Sequence, residues 1–284
     1  MKILFSIRPD WEESLRAGLA GSAHSLHFAA LTEQSIQDHD IVVPLTIPDI
    51  EYLDSIRPRI AANPLPIPDL ASVRVCDDKL RFNEAMLALG FGDFIPAFGD
   101  CIGHPHVLKK RHDESGAHSF VVRSADQTRA LMENVRAQDY FRQELIPGEC
   151  EYTTHLLFAR GRIRFALHIE TTFAGDACIK GRDPCLGSRA VPAPCEPDVF
   201  AAMLTGIGFE GLCCINYKLA DGRPRVFEIN PRIGWSLCAH FARLLPFLER
   251  RALGDLRYFT GRALQAIAAV SWSGHAASLQ QLTP

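Results

Sequence analysis

The chain has 284 residues, 47% hydrophobic and 22% charged, the proportions of an ordinary folded protein, which exclude a disordered tail or a coiled coil. Its 30 Lys and Arg against 33 Asp and Glu leave a net charge of −3, so no overall field favours nucleic acid or anionic lipid, and a bound polyanion must be met by a local cluster. No apolar run approaches the roughly 20 residues that cross a bilayer, and Met1 to Asp10 meets charge too early for a secretory leader, so a cytoplasmic protein with neither membrane nor nucleic acid as partner is expected.

Strands and helices alternate at the start: Ile3 to Ile7 as a strand, Trp11 to Leu19 as a helix, Ser25 to Phe28 and Asp40 to Leu45 as further strands. That alternation predicts a small layered α/β unit. Pro44, Pro48, Pro58, Pro64, Pro66 and Pro68 follow, predicting extended connections and a boundary near residue 70. The segment Asp77 to Gly90 has the strongest helical pattern, with Asp77 as the expected N-cap, Phe82, Ala85, Met86 and Leu89 on one face, and Gly90 just past the end. Lys79 falls in its first turn, at the positive end of the helix dipole, which suggests another task for it.

Strands are expected at Val107 to Arg111 and Ser119 to Arg123, flanking the loop His112 to His118. A helix over Ala125 to Ala137 and a strand ending Tyr140 to Glu144 follow. Four more strands, Tyr152 to Phe158, Arg162 to Ile169, Leu212 to Leu219 and Arg225 to Ile229, predict an antiparallel α+β body, with Asp221-Gly222 turning the last hairpin. Phe241, Leu244, Leu245, Phe247 and Leu248 form an apolar stripe expected in the core. Of the nine cysteines, none forms a C-x-x-C pair, so buried reduced thiols are expected. His104 and His106 lack a second cluster to complete a metal site and are taken as loop residues.

The chemistry concentrates in Gly211 to Arg232. Glu228 and Asn230 stand two apart on a strand, so both point to one face and offer two hard oxygens to one divalent cation. Arg232, just past Pro231, adds a guanidinium on that side.

With its Glu-Ile-Asn-Pro-Arg run, this hairpin resembles the ATP-grasp superfamily, in which such a strand end holds magnesium between ATP phosphates. Further motifs extend the resemblance in order from about residue 76 to 245. It implies an ATP-grasp fold of class α/β plus α+β: a short N-terminal domain at 1–72, then two α+β lobes, 73–146 and 147–284, clamping ATP between them. By the same resemblance Lys79 and Lys109 reach ATP phosphates, and Ser115, Gly116 and Ser119 belong to a flap over them that holds a single glycine. Glu144 and the backbone of Leu145 and Ile146 meet adenine, and Glu151 takes the ribose hydroxyls. Lys180 or Arg182 lies near the γ-phosphate, Glu228, Asn230 and Asn216 hold Mg2+ or Mn2+, and Arg232 stabilises charge on the transferring group.

Asn216 departs from the family pattern, which has a carboxylate twelve positions before the glutamate; the amide keeps a carbonyl oxygen but removes a negative charge. The implied reaction is ADP-forming joining of a small carboxylate to an amine or peptide. A phosphotransferase and a low-turnover ATP-binding regulatory protein are the alternatives, and a homodimer is compatible with either. Arg8, the Pro44 to Pro48 segment, Arg182 and Arg189 are candidates for the acceptor side.

Overall fold

The computed structural model describes residues 1–60 and 66–248. The first strands, β1 (Lys2–Phe5), β2 (Ser25–Phe28) and β3 (Ile41–Val43), form a parallel sheet in the order β2-β1-β3. Ile3, Leu4 and Phe5 are all buried, as expected of a central parallel strand covered on both faces. Helices α1 (Pro9–Gly18), α2 (Glu33–Gln37) and α3 (Ile47–Ser55) intervene or follow.

Helix α3 corrects the expectation of an extended, proline-punctuated connection. Pro48 lies in its first turn, where a missing N–H costs nothing, and Thr46 and Asp49 form a capping box that satisfies the backbone donors there. A second correction concerns the helix at Lys79. Leu70–Asp77 forms a separate helix, α4, and α5 (Lys79–Ala88) starts after a one-residue break at Asp78. Asp78, rather than Asp77, is the N-cap, accepting from the Leu80 and Arg81 amides at 3.1 and 3.3 Å. The Arg111 guanidinium fixes that carboxylate. Burial alone would raise its pKa, but the arginine holds it below the ordinary aspartate range.

Strands β4 (His106–Lys110), β5 (Phe120–Val122) and β6 (Tyr140–Glu144) form an antiparallel sheet in the order β5-β4-β6, close to the expected ranges. Helix α6 (Ala125–Met132) stops five residues before its predicted end. A five-stranded antiparallel sheet completes the described chain, with β7 (Cys150–Ala159), β8 (Arg162–Phe173), β9 (Cys185–Val191), β10 (Gly211–Ala220) and β11 (Arg223–Asn230) in the order β11-β10-β7-β8-β9. The β10-β11 turn has Asp221 and Gly222 at φ +51° and +73°, the paired positive angles that an Asp-Gly hairpin signal demands.

This sheet has a core on each face. Alternation sends Leu156 into the cluster of Phe82, Met86, Phe200 and Tyr217, and Leu157 into the cluster of Ile3, Phe5, Trp11 and Phe241. The first core is roofed by α5 and by α7 (Asp198–Gly206); the second joins the sheet to the N-terminal unit. There α1 packs on the 3-10 segment Trp235–Arg243, followed by α8 (Leu245–Leu248). Of the expected C-terminal stripe, Phe241, Leu244, Leu245 and Leu248 are buried, while Phe247 is half exposed. Residues 249–284, expected to close the third unit, lie outside the described residues. Among the described residues no helix is long and apolar enough to cross a membrane.

Candidate functional site

Cross-strand register brings the polar residues of the large sheet onto one face. Asn216 on β10 stands opposite Glu228 on β11 and opposite Thr153 on β7, while period-two alternation adds Glu151, Lys218 and Asn230 to the same side. The Asn216 and Asn230 amide nitrogens both donate to Glu228 Oε1, at 2.9 and 3.1 Å. Thr153 Oγ1 donates to Asn216 Oδ1 at 2.8 Å and accepts from Lys180 Nζ. A continuous polar chain thus runs from Lys180 to Glu228.

The other Glu228 oxygen faces two lysines carried by different elements. Lys79 Nζ, from the first residue of α5, lies 3.5 Å away, and Lys109 Nζ, from β4, lies 3.7 Å away. Lys109 also donates to the Phe227 carbonyl at 3.1 Å, and Lys79 to the Asp113 carbonyl. Burial by itself would raise the Glu228 pKa, but the two ammonium groups and the two amides outweigh it and hold the carboxyl well below the glutamate range. Burial pushes the Lys109 ammonium down, opposed by Glu228. Glu151 and Lys218, both buried, are shifted by burial in opposite directions, up and down respectively. The cleft therefore contains four lysines and two carboxylates, of which Lys79, Lys109, Lys218 and Glu151 are buried.

The loop between β4 and β5 closes over this face. Ser115 and Gly116 meet Lys180 and Gly181 backbone to backbone: a Cβ on Gly181 would stand 1.7 Å from the Ser115 carbonyl oxygen, and one on Gly116 would stand 2.7 Å from that of Lys180. Both glycines have positive φ, so this approach is open only to residues without a side chain. From the same loop, the Glu114 carboxylate contacts Arg232 at 3.1 Å and Arg8 at 2.8 Å. The Ser119 hydroxyl is buried and has no hydrogen-bond partner among the described residues.

The structure thus gathers Lys79, Lys109, Lys180, Asn216, Glu228 and Asn230 into one group, with Glu151 beside it and Arg232 at its edge. Ser115 and Gly116 lie in the closing loop. Glu144 ends β6, its carboxylate accepting from the Ala97 amide at 3.0 Å, and Leu145 and Ile146 lead from it toward β7. Arg182 lies apart: it stacks over Phe120 at 4.4 Å, donates to the Ala117 carbonyl, and lines a separate cavity of about 500 Å³. Arg189 is exposed and paired with Glu170 on the sheet edge. Lys218, Thr153 and Glu114 join the site without a forecast from sequence. The first two stand two residues beyond Asn216 and Glu151 on their strands, a spacing that would have placed them on the same face; nothing local marks Glu114.

A divalent cation fits this donor set. One carboxylate and two primary amides are hard-oxygen ligands of the kind Mg2+ and Mn2+ prefer. No cluster of three or more His, Cys, Asp or Glu suited to a metal occurs among the described residues. With a single anionic ligand, most of the counter-charge for a cation has to arrive with the molecule it accompanies.

No protein-family model matches the sequence, and no curated protein does. Solved structures do match. Phosphoribosylamine–glycine ligase from Thermotoga maritima is 14% identical with a TM-score of 0.64, over 87% of this chain and 72% of that one. N5-carboxyaminoimidazole synthase from Aspergillus clavatus, in complex with ADP and 5-aminoimidazole ribonucleotide, is also 14% identical at 0.61, over 91% and 78%. D-alanine–D-alanine ligase from Bacillus anthracis is 15% identical at 0.58, over 98% and 99%. These are ATP-grasp enzymes, and the chain has the ATP-grasp fold.

Proposed function

We propose that the protein is an ATP-dependent, ADP-forming ligase that activates a small carboxylate and joins it to an amine. The observation that carries this reading is the convergence of Lys79 and Lys109, both buried and from two separate elements, on a largely buried Glu228 flanked by two amides. A triphosphate needs cations fixed at several oxygens and a metal between them; two lysines converging here, beside a carboxylate and two amides that would hold a metal, support this reading on an ATP-grasp fold. ATP complexes among the structural neighbours support the nucleotide.

On this reading Lys79 and Lys109 hold phosphate oxygens, exchanging their contact with Glu228 for contact with the nucleotide. Glu228, Asn230 and Asn216 hold Mg2+, which when bound supplies Lewis-acid neutralisation of phosphate charge. Glu144, Leu145 and Ile146 line the adenine end and Glu151 the ribose. The Ser115 to Ser119 loop covers the phosphates and excludes water, with the unpartnered Ser119 hydroxyl free to donate. The substrate carboxylate needs no general base, being ionised at neutral pH. Its oxygen bonds to the γ-phosphorus as the bond to the β-phosphate oxygen breaks and ADP departs. The amine then attacks the acyl carbon, losing a proton as phosphate leaves. Arg232 steadies the oxygen charge through both steps.

The test is incubation with Mg·ATP and a panel of small acids, with and without amines, following ADP and products by mass. An amide formed with stoichiometric ADP is expected; a stable phosphorylated product would instead indicate a phosphotransferase. Lys109→Ala should reduce turnover at least about 100-fold, the scale for losing a charge contact made to a transferring group, with an unchanged circular dichroism spectrum. Undiminished turnover would remove Lys109 from the site.

A further inference from the structure

Arg8 and Arg232 lie at the end of the cleft nearest the N-terminal unit. Their side chains are 15% and 8% exposed, yet they come from opposite ends of the chain: Arg8 follows β1, and Arg232 follows β11. Arg8 lies 4.0 Å from the Trp11 ring centroid and Arg232 5.6 Å from it, so one indole neighbours both cations. Backbone contacts fix their orientation, with Arg8 Nη1 donating to the Leu45 carbonyl at 3.2 Å and Arg232 Nη1 to that of Ile233 at 2.9 Å. Each therefore keeps its Nη2 for the space between them.

What fills that space is one carboxylate. Glu114 places Oε2 2.8 Å from Arg8 and Oε1 3.1 Å from Arg232, so the gap has the span of a carboxyl group with one oxygen for each guanidinium. Arg232 is buried and Arg8 largely so, but Glu114 is 52% exposed and is carried by the closing loop. Burial would raise its pKa, yet Arg232 and Arg8 outweigh that and keep it ionised. The nearest other anion, Asp10, is 3.8 Å from Arg8 and 70% exposed. A cavity of about 200 Å³ opens beside Glu114 and Arg232, lined by Lys79, Asn230 and Ile47.

We infer that Arg8 and Arg232 form the seat of a substrate carboxylate, and that Glu114 is a placeholder that leaves when a small organic acid enters the adjoining cavity. Arg8 is then a specificity-determining residue contributed by the N-terminal unit. The inference deepens the ligase reading and rests on it for calling the occupant a substrate.

Acetate tests the seat without knowledge of the substrate, with acetamide as the neutral control. In Glu114→Ala the seat is open, and acetate is expected to raise the melting temperature saturably at millimolar concentration. The wild type, where acetate must displace Glu114, should need at least about tenfold more, and the double variant Arg8→Gln/Glu114→Ala should show no rise beyond that with acetamide. A companion Arg8→Lys/Glu114→Ala variant, which retains the charge, guards against misfolding of the glutamine variant and should respond more weakly than Glu114→Ala alone. No acetate response in Glu114→Ala, or an equal response without Arg8, overturns the proposal. ATP binding is measured separately on the wild type: its absence would sink the nucleotide reading and leave the acetate result interpretable.

Discussion

Around Glu228 a largely buried carboxylate is held by two lysines and two amides, all carried by strands or by a helix start. Around Glu114 the arrangement is inverted, with two largely buried guanidiniums on regular or adjoining segments and the carboxylate on an exposed loop. The difference lies in what can leave. At the first end the anion is part of the sheet and the cations can turn only toward something that replaces it; at the second the cations are fixed and the anion is detachable. On the proposed ligase reading, moving a phosphoryl group from a nucleotide to a second substrate would use both kinds of end, one preorganised and one exchangeable.

Glu228→Ala strikes the contrast hardest. Removing the partner of two buried lysines leaves them without compensation, and breaking such a group costs about 3–5 kcal/mol. Urea denaturation should show that loss, whereas Glu114→Ala should lose less, because its carboxylate is 52% exposed and water can take its place on the two guanidiniums. Equal losses would mean that Glu114 is as deeply built into the fold as Glu228, and the contrast would fail.

The two ends also differ in how far sequence discloses them. Glu228, Asn230 and Asn216 lie on one hairpin, whose Asp-Gly turn and period-two alternation fix the register, so their meeting follows from local chemistry. Lys79 was marked by its place in the first turn of a helix, although the break at Asp78, which aims it, was not. The Glu114 bridge joins residues 106 and 118 positions apart, and no periodicity reports which loop carboxylate closes on which arginine. Lys218 was hidden for another reason: a lysine on a strand is ordinarily exposed, and here the closing cleft buries it. Strand β9 is exposed along nearly its whole length, so it carries no burial pattern to detect. Strands β1 and β3, buried on both faces, are legible as continuous apolar runs.

Gly181→Ala should separate the ends mechanically. An added Cβ 1.7 Å from the Ser115 carbonyl, at a residue with φ +82°, forces the loop to lift or the Lys180 segment to move, at a cost of about 1–3 kcal/mol. Amide exchange of residues 112–119 should accelerate at least about tenfold, corresponding to about 1.4 kcal/mol of lost closure, because Glu114 moves with the loop. The exchange of β10 and β11 around Glu228 should stay as it was. Unchanged exchange in the loop would mean that the backbone contact does not hold it closed.

Asn216→Asp has the smallest expected effect and the sharpest sign. The amide that donates to Glu228 Oε1 at 2.9 Å becomes a second carboxylate at the same distance, so a favourable contact turns into repulsion. Lys79 and Lys109 already face the far oxygen of Glu228, and Lys180 reaches the new group through Thr153; the net loss should therefore be about 1 kcal/mol near neutral pH. Glu228 stays ionised beside its two lysines, so the new carboxyl at position 216 meets a negative charge and its folded-state pKa is raised above the unfolded value of roughly 4. A raised folded pKa means that the folded state holds its proton longer, so the deficit relative to wild type should be absent below pH 4 and appear as pH rises through the folded pKa. Added Mn2+ should reverse the order at pH 7, since the cation gains a second anionic ligand where the wild type offers one. Mn2+ titration by electron paramagnetic resonance should then show about tenfold tighter binding in the variant. If the two proteins bind Mn2+ alike, Asn216 does not face the cation, and any metal at the fixed end of the cleft is left to Glu228 and Asn230.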